Sequence, residues 1–487
     1  MNRSLLDHYF TKTPSSQRQS EVIAYLAALD HLSQKAPSIA EAILKEIEDQ
    51  RTHLKLIASE NFSSLSVQLA MGNLLTDKYS EGYPHHRFYA GCENVDTIEA
   101  EAVELAKKLF GVDHAYVQPH SGADANLVAF WAILTARVQN PHLQALGKKN
   151  LDELSEQEFE ELRQLLCNQK FMGLSLGSGG HLTHGFRQNV SAKMMRAIPY
   201  DVDPKTGQLD YKQILTLAKK EKPLVLLAGY SAYPRRINFA KMREIADETG
   251  AVLMVDMAHF AGLVAGKVFK GEENPVGYAQ VLTTTTHKTL RGPRGGIVLC
   301  DQEFATAVDK GCPLVLGGPL PHVMAAKAIA LKEASSPDFA IYAEQIVKNA
   351  RALAEGLKKR GLDLVTGGTD NHLILIDLTS LNMTGRVAEI ALGKGGVTAN
   401  RNTISSRDPN GAWYTSGIRL GTPSVTTLGM GEKEMEEIAD IIVQILQNTQ
   451  PKSLSKAETK QEILEAAKQR VHALLNTFPL YPQLLIT

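Results

Sequence analysis

Between Val281 and Gly296 the sequence reads Val-Leu-Thr-Thr-Thr-Thr-His-Lys-Thr-Leu-Arg-Gly-Pro-Arg-Gly-Gly, a run that few folds accommodate. Two apolar residues lead into four consecutive threonines, whose β-branched side chains favour stiff, extended backbone. Gly292, Pro293, Gly295 and Gly296 then require a sharp bend or a close approach to a ligand. Lys288, held between strand and turn, is suited to act as an amine nucleophile, above all toward an aldehyde. The alternative is a surface lysine on a basic loop, grouped with Arg291 and Arg294 as a phosphate patch.

Upstream lies Ala251-Val-Leu-Met-Val-Asp256-Met-Ala-His259. Its apolar run, Ala251 to Val255, reads as a strand buried on both faces of a parallel sheet. Asp256 then falls at the carboxyl edge, where α/β sheets hold ligands, although a helix N-cap is the commoner fate of such an aspartate. A third element pairs a short strand, Ala115–Gln118, with an apolar helix, Asn126–Leu134. Ser121 and Gly122 lie between them, where free N–H groups and the helix dipole suit an anion, or where an ordinary cap is made. Anion site, buried carboxylate and lysine together supply three contacts of one phosphorylated aldehyde cofactor.

A chain of 487 residues is long enough for a large α/β core plus a second domain. Its 52 basic and 53 acidic residues nearly cancel, so no net field draws it to nucleic acid or membrane. Arg235 and Arg236 read as substrate contacts or as part of a solvated face. Cys92, Cys167, Cys300 and Cys312 are widely spaced, which argues against a disulfide framework or zinc site and fits a reducing compartment. The first residues lack a signal-peptide core, and no stretch approaches the ~20 apolar residues of a membrane span. The expectation is a soluble, cytoplasmic protein.

Residues 1–60 read as an N-terminal helical arm, with a helix capped by Ser38 and an apolar face of Ile39, Ile43, Leu44 and Ile47. From 61 to 330 strands alternate with helices, including Phe239–Thr249, which predicts a large domain with a mainly parallel sheet. Residues 331–487 read as a smaller C-terminal α/β domain, with a strand at His372–Asp377 and a periodic helix at Glu432–Gln447. Within 137–171 the amphipathic Leu151–Leu166 reads as a surface helical insertion.

Across nearly the whole chain the sequence resembles the serine hydroxymethyltransferase family. The resemblance rests on Leu56-Ile-Ala-Ser-Glu-Asn-Phe62, Lys78-Tyr-Ser-Glu-Gly-Tyr-Pro84, Gly180-His-Leu-Thr-His-Gly185, Ser231-Ala-Tyr233, the Asp256 block, the Lys288 block and Thr415-Ser-Gly-Ile-Arg419. It implies the aspartate-aminotransferase-like fold (fold type I) and pyridoxal 5'-phosphate as cofactor. The implied reaction is the reversible conversion of L-serine and tetrahydrofolate to glycine and 5,10-methylenetetrahydrofolate. Implied side activities are cleavage of other β-hydroxy amino acids and alanine racemisation. A folate-independent aldolase or racemase on the same cofactor fold is the competing reading, since it too would keep Lys288 and Asp256.

By this resemblance Lys288 forms the Schiff base, Asp256 pairs with the ring nitrogen, and Ser121 with Gly122 holds the phosphate. His181 stacks on the ring, Ser231 and His259 attend its phenolic oxygen, and Thr285 and His287 flank the lysine. Arg419, with Ser59, takes the substrate carboxylate, a task for a guanidinium fork, although a structural salt bridge is the plainer fate of an arginine. Tyr79, Glu81 and Tyr89 reach the site from a second subunit, with Glu81 managing a proton in the folate step, and Gly317 and Gly318 meet the phosphate across that interface. Leu176, Gly180, Leu182 and Asn402 match folate positions, as does Phe88, where the family usually carries tyrosine. The assembly implied is a homodimer with shared active sites, with dimer and tetramer both left open.

Overall fold

The computed structural model describes residues 4–406 and 408–486. Its centre is a seven-stranded sheet in the order His114–Tyr116, Gly296–Cys300, Val281–Thr285, Val252–Asp256, Val225–Gly229, Lys170–Leu174, Arg196–Tyr200. Gly296–Cys300 runs antiparallel to both of its neighbours, and every other pair is parallel. The three middle strands are buried along their whole length, and all their residues except the terminal Asp256 are apolar, glycine or threonine.

Local sequence sets the units that feed this sheet. The expected Phe239–Thr249 helix has those bounds; Asn238 caps it by accepting from the Lys241 N–H at 2.9 Å, and Gly250 ends it in the left-handed region at φ 72°. The chain then enters Val252–Asp256 directly. Gly229, at φ 130°, closes the neighbouring strand where a Cβ would come within 2.1 Å of the Asp256 carbonyl oxygen, so only glycine lets the two strand ends meet.

A second, antiparallel sheet has the order Asp363–Leu364, Leu373–Asp377, Gly417–Gly421, Asn400–Asn402. The amphipathic helix Glu432–Gln447 covers its core with Ile438, Ile441, Ile442 and Ile445. The helix Pro337–Lys359 bridges the two cores: Phe339, Tyr342, Ile346 and Val347 pack in the first, Leu353 and Leu357 in the second. Leu54–Lys55 pairs in parallel with Val397–Thr398, so the end of the expected arm belongs to the second core.

Several local expectations change. The helix read from Ser38 spans Pro37–Thr52, with Ala36 in the cap position and proline in the first turn, and Ile39 is 57% exposed rather than part of the packed face. Arg235 and Arg236 are structural ties rather than substrate contacts: Arg235 pairs with Asp370 at 3.0 Å, and Arg236 pairs with Glu273 and donates to the Asp370 carbonyl. The insertion carries the helix Glu156–Cys167, which buries Leu162 and leaves Phe159 and Leu165 exposed. Arg51 donates to the carbonyls of Leu480, Tyr481 and Leu484, and Leu5, Leu26 and Leu484 share one apolar cluster.

Ile442→Ala should lower stability by about 2–5 kcal/mol, the range for a truncated core isoleucine. Ile341→Ala, at a residue 68% exposed, should change it by less than about 0.5 kcal/mol. Denaturation midpoints of the two variants check this.

Candidate functional site

The carboxyl ends of the central strands open into a cavity of about 310 Å³. Ser59, Ser121, Gly122, His181, Ser231, Asp256, His259, Thr285, His287 and Lys288 all line it, although they come from widely separated blocks. A larger hollow of about 540 Å³ lies elsewhere, between Tyr25, Ile43, Gln68 and Tyr481, and none of the site residues expected from sequence lines it.

Asp256 anchors the cavity. Its carboxylate accepts from Asn126 Nδ2 at 2.8 Å, from His184 Nε2 at 3.1 Å and from the Ala258 N–H at 3.0 Å. Burial disfavours its charge, but the hydrogen bonds and nearby imidazoles outweigh burial and hold the carboxyl well below the usual range. Thr283, opposite Asp256 in the strand register, donates to Asn126 Oδ1 at 2.5 Å and so turns the amide N–H toward the carboxylate.

Lys288 follows the strand by three residues. Burial lowers its amine to about 8, with the Asp256 charge opposing and the Arg419 and Arg294 charges assisting. His287 is pushed to about 3, first by burial and then by the Lys288 and Arg294 charges. His181 falls to about 4, chiefly by burial, so its ring is neutral at pH 7. Thr285 donates to the Ala258 carbonyl at 3.1 Å, and a Cβ added at Gly122 would come within 2.7 Å of the Thr285 methyl. Ser121 caps the helix Gly122–Leu134 by accepting from the Asp124 N–H at 3.1 Å.

Arg419 stands one layer behind the lining. It lies on the Gly417–Gly421 strand, donating to the Ser231 carbonyl at 2.7 Å and to Asn400 Oδ1 at 3.1 Å. Burial lowers it to about 10, and it enters none of the ion pairs among the described residues. A substrate carboxylate would supply the charge it lacks.

Other expected residues are not brought into this cavity. Tyr79, Phe88 and Tyr89 are 58%, 71% and 45% exposed on the segment around the Gly82–Tyr83 and His86–Arg87 hairpin, and Tyr89 donates to Glu81 at 3.4 Å. Gly318 faces the Tyr79 ring, with Gly317 beside it, rather than Ser121. Leu176 and Leu182 are exposed on two short turns, Gly180 abuts the Leu174 carbonyl, and the Asn402 side chain donates to the Thr403 carbonyl.

Sequence reasoning missed Asn126, Thr183, His184 and His372 as site residues. Asn126 carried a signal, a lone amide early in an apolar helix; it also donates to Thr183 at 2.8 Å. His184 lies three residues after His181 in the Gly180–Gly185 block, and it serves Asp256. His372 Nε2 lies 3.3 Å from His259 Nδ1, a contact between segments far apart in sequence with no local signature.

A family model described as serine hydroxymethyltransferase matches residues 32–147 and 162–442. A serine hydroxymethyltransferase of Mycolicibacterium smegmatis is 60% identical over 465 residues, covering 95% of this chain and 94% of the relative. One from Chlamydia trachomatis is 57% identical over 490 residues, covering 99% and 98%. One from Treponema pallidum is 58% identical over 491 residues, covering 99% and 85%.

Because its depressed lysine reaches the free-base form at lower pH, the protein without cofactor should add a small aldehyde at Lys288 with half-maximal rate near pH 8 rather than 10.5. Borohydride trapping followed by peptide mass spectrometry across pH 6–11 checks this, with an assay range chosen to bracket ordinary lysine at ~10.4.

Proposed function

The chain belongs to the serine hydroxymethyltransferase family, and from that premise we infer that it reversibly converts L-serine and tetrahydrofolate to glycine and 5,10-methylenetetrahydrofolate. The observation that carries the reading is the meeting of a depressed lysine and an ionised aspartate in one cavity. The cavity residues fit pyridoxal 5'-phosphate: an amine for its aldehyde, a carboxylate for its ring nitrogen, and a glycine at a helix start for its phosphate. This supports fold type I for the chain, with its sheet and cavity arranged as that cofactor requires.

Lys288 would hold the aldehyde carbon, and Asp256 would keep a proton on the ring nitrogen. Ser121 and Gly122 would seat the phosphate, and the neutral His181 ring would lie against the cofactor face. Ser231 and His259 would meet the phenolic oxygen. When bound, the cofactor supplies a ring that accepts the electron pair left at the substrate α-carbon. Arg419, helped by Ser59, grips the substrate carboxylate bidentately and turns the hydroxymethyl group toward the folate. Thr285 and His287 wall the lysine and keep water from it. Cleavage of other β-hydroxy amino acids and alanine racemisation would use the same α-carbon chemistry.

The exposed Tyr79, Glu81 and Tyr89 support a reading in which they complete the site of a second copy, with Gly317 and Gly318 closing over its phosphate. Glu81 would shuttle the proton at the hydroxymethyl oxygen. Phe88, Leu176, Gly180, Leu182 and Asn402 would form the folate side of the shared site.

Arg419→Ala should cost about 2–4 kcal/mol in kcat/KM for serine while leaving cofactor absorbance unchanged. Steady-state kinetics with tetrahydrofolate measure the loss, and untouched kinetics would make Arg419 a purely structural residue. Glu81→Gln and Lys288→Ala, each inactive alone, should recover about a quarter of wild-type activity when refolded together, because half the dimers are mixed and each has one intact site. No recovery in mixed dimers verified by mass would place both residues in one chain's own site.

A further inference from the structure

Lys327, on the helix Pro321–Ala334, is only 1% exposed, and none of the functional roles above uses it. Its amine donates to the carbonyls of Val117 at 2.6 Å, Pro119 at 2.9 Å and Gly296 at 3.0 Å. It enters none of the ion pairs among the described residues, so three neutral oxygens hold a buried amine. Burial lowers it to about 7, against the more distant charges of Glu99 and Asp124. An apolar side chain of similar length would avoid that desolvation cost.

The three carbonyls mark where two segments cross beneath Ser121. Pro119 oxygen also accepts from the Gly296 N–H at 2.9 Å, and a Cβ on Gly296 would come within 2.3 Å of the Ser121 carbonyl oxygen. Gly295 leaves the space the lysine needs, since a Cβ there would come within 2.4 Å of Lys327 Cε. The turn into the helix Gly122–Leu134 is therefore fastened from below by one side chain.

We propose that Lys327 is a positioning residue for an anion seat, fastening the Pro119–Gly122 turn so that its N–H groups and the Ser121 hydroxyl face a phosphate monoester. The proposal rests on reading Ser121 and Gly122 as the phosphate seat. Fastening the Pro119 carbonyl on Lys327 also keeps that oxygen from turning toward the anion and repelling it. A fixed turn binds phosphate without first losing conformational entropy.

The test uses full-length protein after removal of its cofactor by dialysis. Lys327→Met, Lys327→Gln and, in parallel, Ser121→Ala are titrated with pyridoxal 5'-phosphate and with pyridoxal, which lacks the phosphate. Lys327→Met should weaken pyridoxal 5'-phosphate about tenfold or more, the scale of a lost charge-assisted contact, and leave pyridoxal binding unchanged. Lys327→Gln, which keeps two amide donors, should fall between. Equal loss for both ligands, no loss for either, or insoluble protein from both lysine variants would overturn the proposal, since each points to general packing or nothing. If Ser121→Ala leaves the preference for phosphate intact, the seat itself is misplaced; if it abolishes that preference while Lys327→Met does not, only the role of Lys327 fails.

Discussion

A carboxylate kept ionised inside the protein is the constraint on which the rest of the site depends. Asp256 ends a strand with no exposed face, and its charge survives there only because Asn126, His184 and the Ala258 N–H all donate to it. Each donor fixes a larger element. Asn126 requires the Gly122–Leu134 helix to enter where it does, and Thr283, which orients that amide, requires the Val281–Thr285 strand in its observed register. The register in turn delivers Lys288 to the same opening.

The same burial acts in opposite directions on the two partners. At Asp256 the donated hydrogen bonds overcome burial, so the charged form is kept. Lys288 has the Asp256 charge in its favour but faces Arg419 and Arg294 as well, and burial wins, so the free amine lies close to neutral pH. An ionised carboxylate and an amine of lowered basicity thus arise side by side from one low-dielectric environment.

Much of this was legible in the sequence because it was local. The helices Phe239–Thr249, expected between two strands, and Glu432–Gln447, expected from its periodicity, have the bounds read from sequence. The strand ending at Asp256 was visible as an uninterrupted apolar run. The ten lining residues expected from separate blocks do share a cavity. What stayed hidden was tertiary. His372 meets His259 from another sheet, and Lys327 reads in sequence as one more lysine on a helix. The arginine pair at 235 and 236 reads as substrate contacts or as a solvated face because a sequence does not reveal that Asp370 and Glu273 lie opposite. Ile39 fits the helical stripe by spacing yet faces outward, since periodicity defines a face but not its width.

The helix Pro337–Lys359 changes what a division of the chain near residue 330 means. Its 23 residues form a rod of about 35 Å, stiff on the scale of either core. Phe339, Tyr342, Ile346 and Val347 complete the apolar interior beneath the seven-stranded sheet, although they follow that boundary in sequence. Scission just ahead of Pro337 would leave one fragment with an unfilled interior and the other with an uncovered greasy stripe. The boundary separates two sheets, yet one continuous helix that follows it supplies side chains to both interiors.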